Sequence, residues 1–347
     1  MRKYYPNYSI GTDAYADIPM VCEKYGTKAV IIGGTHALAA AADLIKETVA
    51  DSNIMITGVF EYGGEASREH IDELNSHQEV IDADMIFACG GGKAIDTCKV
   101  LSQESNRPFF TFPTIASTCA SCTSLGIIYS FQEKPSEWIF INTQVIANAP
   151  EKYLWAGIGD TMAKFYECTT SARGDNDLDH STSMGVQISN LCARPLVKYG
   201  VEALEECRNH TPGKALEEVI LGIIVSTGFV SNLVGIDLNT GLAHACYNGF
   251  TVCKSTEEHG HLHGEIVAYC ILILLKVDHQ EEEFKKIYEF SKNMGFPVKL
   301  ADIHATIDDM DAVITKALSG IDVRVWPYEV TPDMILDAVK EIEQVAL

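Results

Sequence analysis

At 347 residues the chain is long enough for roughly two domains of about 150 residues, each with its own core. Hydrophobic residues make up 47% and charged ones 21%, without a low-complexity tract, so the whole chain is expected to fold. A net charge of −22 repels both a phosphate backbone and an anionic lipid surface, which argues against nucleic acid or membrane and for a small-molecule ligand.

The stretch from Met1 to Met20 carries tyrosines and charges where an export signal needs an apolar segment. The next 130 residues alternate short β-rich runs with helical ones. Strands are expected at Lys28–Gly33, Ile54–Phe60, Met85–Cys89, Phe109–Phe112, Gly126–Phe131 and Trp138–Ile141, with helices at Ala37–Val49, Arg68–Ile81 and Ala94–Ser105. Such alternation predicts a mostly parallel sheet covered on both faces, with ligands at the carboxyl ends of its strands. After Asn148–Ala149–Pro150 the texture becomes helical, at Leu178–Tyr199, Lys214–Leu233 and Gly264–Lys276, with a break at residues 173–177. The expected organisation is an α/β domain of nucleotide-binding style over residues 1–150 and an all-helical domain over 151–347. The apolar run Ile266–Leu275, at ten residues, is about half a bilayer span and reads as a buried helix. Eleven cysteines scattered from Cys22 to Cys270 suit a reduced, cytoplasmic protein.

Two motifs point to a phosphate-bearing ligand. Gly90, Gly91, Gly92 and Lys93 follow a strand and open a helix that carries Asp96 and Lys99. Glycines let backbone N–H groups approach a pyrophosphate, and the helix N-terminus adds partial positive charge. The spacing fits neither Gly-x-Gly-x-x-Gly nor a Walker loop. A ligand-free turn is the competing reading, weakened by the flanking strand, helix and lysine. The second motif, residues 113–118, places Thr114, Ser117 and Thr118 at the next strand end, where the other half of a dinucleotide would lie.

In the helical half, Gly157–Ile158–Gly159–Asp160 is expected to open a helix, His244 to lie within one, and His263 to open another. One carboxylate and two imidazoles make a three-ligand site with an open position, as catalytic zinc requires. Singly, Asp160 also reads as an N-cap, His244 as a core histidine and His263 as a surface one. The alternation His259, His261, His263 is a poor metal tract, because such residues share a face only on a strand. Cys119 and Cys122 read as two thiols near the cofactor rather than a redox pair.

Taken in order, Gly90–Lys93 through Asp96 and Lys99, Pro-Thr-Ile-Ala-Ser-Thr at 113–118, Ala-Gly-Ile-Gly-Asp-Thr-Met-Ala-Lys at 156–164, Ala-His-Ala at 243–245 with Asn248–Gly249, and His-Gly-Glu at 263–265 resemble the metal-dependent (iron-containing) alcohol dehydrogenase family, in its glycerol-dehydrogenase-like branch. The resemblance runs through essentially the whole chain. It implies the dehydroquinate synthase-like architecture, a homo-oligomer, and Asp160, His244 and His263 as ligands of Zn²⁺, with Fe²⁺ as the alternative. It also implies NADP(H) or NAD(H) held by the Gly90–Lys93 loop with Thr114, Ser117 and Thr118. Lys164 stands where iron enzymes of the wider family place a fourth ligand, which favours zinc.

Three departures bear on specificity. Cys119 replaces an aspartate that glycerol dehydrogenases carry after the Ser-Thr pair. A carboxylate there would repel an anionic substrate by ~4 kcal/mol at ~4 Å with an effective dielectric of ~20. With Asn148–Ala149–Pro150 and Val330–Thr331–Pro332–Asp333, this most resembles the hydroxycarboxylate dehydrogenases of the family, which reduce 2-oxo acids to 2-hydroxy acids. Glycerol oxidation to dihydroxyacetone is the alternative, and a dehydroquinate synthase-like lyase a remote one. Gly34 stands where NAD-dependent members often place an acid, so NADP is favoured over NAD. Tyr247 replaces the second histidine of a His-x-x-His turn, as a hydroxyl in the proton path or as packing.

Overall fold

A computed structural model describes residues 5–126, 130–131, 135–174 and 177–346. Its contacts divide the chain into two units: the residues up to Leu154 with Glu202–Asn232, and Trp155–Val201 with those from Leu233 onward. Glu202–Asn232, expected with the second half, therefore groups with the first.

The first unit is built on β1 (Asn7–Gly11), β2 (Lys28–Gly33), β3 (Met55–Glu61), β4 (Met85–Gly90), β5 (Phe109–Pro113) and β8 (Trp138–Asn142), joined in the order β1-β8-β5-β4-β2-β3. Every neighbouring pair is parallel. Strand side chains alternate between faces, and both faces are apolar. Ala29 and Ile31 of β2 join Phe87, Phe110 and Phe140 on one side, while Val30 and Ile32 join Ile86, Ile95 and Leu101 on the other. The helix Thr35–Val49 covers the first face through Ala41, Ala42 and Ile45. Gly92–Ser105 covers the second through Ile95, Cys98 and Leu101. Because β3 and β4 lie on opposite sides of β2, the chain direction switches between β2 and β4, where a doubly wound sheet leaves a crevice.

Three local expectations are corrected. The single strand at Gly126–Phe131 is instead a small antiparallel pair, β6 (Leu125–Gly126) with β7 (Ser130–Phe131), and residues 127–129 lie outside the described ones. The helix Arg68–Ile81 is two, Arg68–Leu74 and Gln78–Ile81, because Ser76 turns its hydroxyl onto the Glu73 carbonyl and ends the first. The stretch 178–199 is likewise broken into His180–Ile188 and Arg194–Arg208 by a 3-10 turn at Ser189–Cys192. β1 carried no signal, being an edge strand of polar and small residues. The expected break at residues 173–177 holds a 3-10 turn at Ala172–Gly174, and residues 175–176 lie outside the described ones.

Among the described residues one helical stretch, Lys214–Val234, is long and apolar enough to cross a membrane, and most of it is buried. Ile266–Leu275 is buried throughout, inside the helix His263–Val277. All eleven cysteines are outside disulfides.

In the first unit the Lys99 ammonium, fully buried, sits 2.8 Å from Asp96 Oδ1 and donates to the Leu125 carbonyl at 2.7 Å. Removing one member of such a pair costs about 3–5 kcal/mol. The pair lies within one helix, and it is Lys99, through the Leu125 carbonyl, that ties the glycine-loop helix to β6.

In the second unit two glycines decide how closely helices approach. A Cβ on Gly264 would stand 1.8 Å from the Ala156 carbonyl oxygen, and one on Gly159 would stand 2.2 Å from the Gly264 carbonyl oxygen. The helices Glu151–Ser171 and His263–Val277 thus meet backbone to backbone. Gly249 allows a similar approach of Leu242–Phe250 to Val313 in Met310–Leu318, at 2.4 Å. No rotamer relieves a clash with backbone, so Gly264→Ala should force the two helices apart and destabilise by about 1–3 kcal/mol or more. The expected result is a lower thermal midpoint of the metal-free protein; an unchanged midpoint would refute the contact.

Candidate active site and metal centre

Asp160, His244 and His263 converge in the helical unit from the helices Glu151–Ser171, Leu242–Phe250 and His263–Val277. Asp160 Oδ1 lies 3.1 Å from His263 Nε2 and 3.3 Å from His244 Nε2, and one donor atom from each residue lies within 4.8 Å of the others. Ligand bonds of about 2.0–2.1 Å to a tetrahedral ion imply donor separations of about 3.3 Å. Two imidazoles and a carboxylate at this spacing therefore fit Zn²⁺ or Fe²⁺. Among the described residues no other group of three His, Cys, Asp or Glu side chains does the same.

Asp160 does not open a helix, as its Gly-Asp sequence suggested. It lies in mid-helix, where an N-cap role is impossible, and its glycine serves the close approach to Gly264. His263 does open its helix, and its side chain is 45% exposed against 17% for His244, leaving one side of the triad open.

Burial disfavours the charged form of Asp160, yet His263 and His244 hold its carboxyl well below the usual carboxylate range. Burial likewise opposes a charged His244, but the Glu167 and Asp160 carboxylates raise its pKa to about 10.

Glu167 is the residue that the sequence reading missed. It is fully buried, and its two oxygens accept from the His244 backbone N–H and from His244 Nδ1, each at 2.7 Å. With the Nδ1 proton committed to Glu167, it is the Nε2 proton that an incoming cation would displace to take that nitrogen's lone pair. The available signal was its position seven residues after Asp160, two turns along the same helix face.

Around this centre, the Tyr247 ring packs edge-on against His263 at 4.1 Å between centroids. Burial and then the Asp160 charge push its phenol pKa up, so the hydroxyl keeps its proton at neutral pH. Lys164 donates to the backbone and side-chain oxygens of Asn239. An ammonium so engaged offers no lone pair as a fourth ligand. His259 stacks on His304 at 3.6 Å, and His261 bridges His304 and Glu265, so neither belongs to the triad.

In the sheet unit, the glycine loop lies at the switch between β2 and β4. Gly90 has φ +147°, and a Cβ there would stand 3.1 Å from that of Ala94. A Cβ on Gly91 would meet Ile115 at 2.8 Å, and one on Gly92 would meet Thr118 Oγ1 at 3.3 Å. The loop is thus pressed against the Thr114–Thr118 segment, whose Thr114 N–H donates to the Gly90 carbonyl. No side chain caps the first-turn amides of Gly92–Ser105 at Gly91. Gly34, Ser117 and Thr118 have some exposure at these strand ends, whereas Thr114 and Asp96 are buried. Cys119 is half-buried, in a turn where its carbonyl accepts from the N–H groups of Cys122 and Thr123.

Residues 6–149 match the family model described as iron-containing alcohol dehydrogenase. A glycerol dehydrogenase from Thermotoga maritima is 31% identical over 255 residues, covering 70% of this chain and 68% of that protein. The chain belongs to the iron-containing alcohol dehydrogenase family. Hydroxycarboxylate dehydrogenase A from Escherichia coli strain K12 is 29% identical over 332 residues, 91% of this chain and 90% of that protein. The crystal structure of a glycerol dehydrogenase from Schizosaccharomyces pombe superposes with a TM-score of 0.87 at 26% identity, covering 99% of this chain and 90% of that one. Fold and membership agree with the resemblance read from the motifs: this is an oxidoreductase family acting on small alcohols, within which the chain is glycerol-dehydrogenase-like.

Glutamine at 167 supplies one good acceptor where His244 presents two donors, so it either abandons the backbone N–H or turns an amide N–H toward Nδ1. Glu167→Gln should weaken metal binding by about 10–100-fold, read by chelator competition. Wild-type affinity in that variant would refute the tautomer argument.

Proposed function

We propose that the protein is a metal-dependent, NAD(P)-linked dehydrogenase that reduces 2-oxo carboxylates to 2-hydroxy carboxylates. The observation that carries this reading is the Asp160 carboxylate 3.1 and 3.3 Å from the two imidazole nitrogens, with its open side at His263. When bound there, Zn²⁺ supplies Lewis acidity at the substrate carbonyl, and the dinucleotide supplies the hydride.

The chain's own residues supply position and charge. Glu167 holds the His244 ring with Nε2 toward the triad. Asp160 and Glu167 together bring two negative charges, which a divalent cation offsets. The protonated Tyr247 hydroxyl beside His263 is a candidate donor for the proton that accompanies the hydride. Gly90–Lys93 and Thr114–Thr118 are the proposed dinucleotide contacts, Gly34 facing the adenosine half.

Cys119 supports the acid substrate. A cysteine rather than an aspartate follows the Ser117–Thr118 pair, so no carboxylate there repels a substrate carboxylate, and an α-oxo acid can offer a metal two oxygens where a simple ketone offers one. Glycerol is the second reading, favoured by the Thermotoga and Schizosaccharomyces relatives, and it needs another residue to hold the extra hydroxyl. Eleven thiols outside disulfides suit a cytoplasmic enzyme.

The test is the initial rate of NADH and NADPH oxidation by zinc-reconstituted protein with 2-oxobutyrate or 2-oxoglutarate, beside glycerol oxidation with NAD⁺ and NADP⁺. Oxo-acid reduction with glycerol inert is the expected outcome. Glycerol oxidation with the oxo acids inert would overturn the substrate assignment.

A further inference from the structure

The end of β2 lacks an acid, since Gly34 stands where a ribose-binding carboxylate would be, but an acid reaches the same place from the neighbouring strand. Beyond β3 the chain runs through Tyr62, Gly63, Gly64 and Glu65. Tyr62 N–H donates to the Gly33 carbonyl at 3.0 Å, and its ring edge lies 3.3 Å from where a Gly34 Cβ would stand. Gly63 and Gly64 have φ of +92° and +89°, and a Cβ on Gly63 would run into the His70 ring at 2.3 Å. The loop conformation therefore depends on glycine. His70 Nδ1 contacts the Glu65 carbonyl at 2.8 Å, and the Tyr62 hydroxyl donates to the Gly64 carbonyl at 2.7 Å. So braced, the loop delivers the Glu65 carboxylate to the Lys93 ammonium, with which it is paired.

Lys93 follows β4, Glu65 follows β3, and β2 lies between them in the sheet. The ion pair consequently spans the carboxyl end of β2, the adenosine side of the crevice. Its side chains are 53% and 68% exposed, so the pair adds little to stability and its placement calls for another reason. A carboxylate there accepts hydrogen bonds from ribose hydroxyls and repels a 2′-phosphate. It also neutralises Lys93, which would otherwise attract that phosphate.

We infer that Glu65, delivered by the Gly63–Gly64 turn and paired with Lys93, reads the adenosine ribose and selects NAD(H) over NADP(H). This reverses the preference that Gly34 alone suggests, and it rests on the dinucleotide reading of the Gly90–Lys93 loop.

The test uses the metal-loaded protein and two ligands without nicotinamide, ADP-ribose and its 2′-phosphate, titrated calorimetrically into wild type and Glu65→Gln. Wild type should bind ADP-ribose tighter by on the order of tenfold, and the variant should lose most of that ratio by gaining affinity for the 2′-phosphate. A ratio unchanged in the variant, or a wild type that prefers the 2′-phosphate, overturns the role of Glu65 and leaves the dinucleotide reading standing. Failure of wild type to bind either ligand overturns both.

Discussion

The candidate metal centre depends on one steric constraint: two helices touch with nothing but backbone between them. Gly264 fills the space against the Ala156 carbonyl, and Gly159 the space against the Gly264 carbonyl. Asp160 follows one of these glycines and His263 precedes the other, so the contact sets the 3.1 Å separation of their donor atoms. Gly159, inside its helix, costs conformational entropy that alanine would not, roughly 1 kcal/mol. The cost is tolerated because a Cβ there would separate the ligands.

Charge completes what the glycines begin. The helix that presents Asp160 presents Glu167 two turns later, and Glu167 binds His244 through both its backbone and its ring. One helix thus carries one candidate ligand and the residue that orients another. In the sheet unit Gly90 and Gly91 play a similar packing part, since a Cβ at either would press on Ala94 or Ile115. In both units glycine permits close approach of chain segments, and a buried or braced carboxylate fixes the direction of a neighbouring side chain.

The strands β2, β4, β5 and β8 were legible because their apolar runs are buried, and β3, at the sheet edge, because Ile56 and Phe60 still pack against the two cores. The motifs were legible because several stand in a fixed order. Asp160 was recognised for its chemistry and misjudged in its setting, since Gly-Asp reads as a helix start until the facing helix is known. Glu167 and Glu65 escaped because their roles are pairings across space: Glu167 with His244, 77 residues away, and Glu65 with Lys93, 28 residues away. A sequence of glutamates in a chain of net charge −22 gives no reason to single out either one. The edge strand β1 and the grouping of Glu202–Asn232 with the first unit were hidden for the same reason, being set by partners distant in sequence.

The central claim is that two imidazoles and one carboxylate, and none of the eleven cysteines, hold the metal. X-ray absorption at the zinc edge of the reconstituted protein tests it most directly. The account predicts one zinc per chain, with nitrogen and oxygen neighbours at about 2.0–2.1 Å and the outer-shell scattering of two imidazoles. A sulfur neighbour at about 2.3 Å, or no retained zinc, would contradict it.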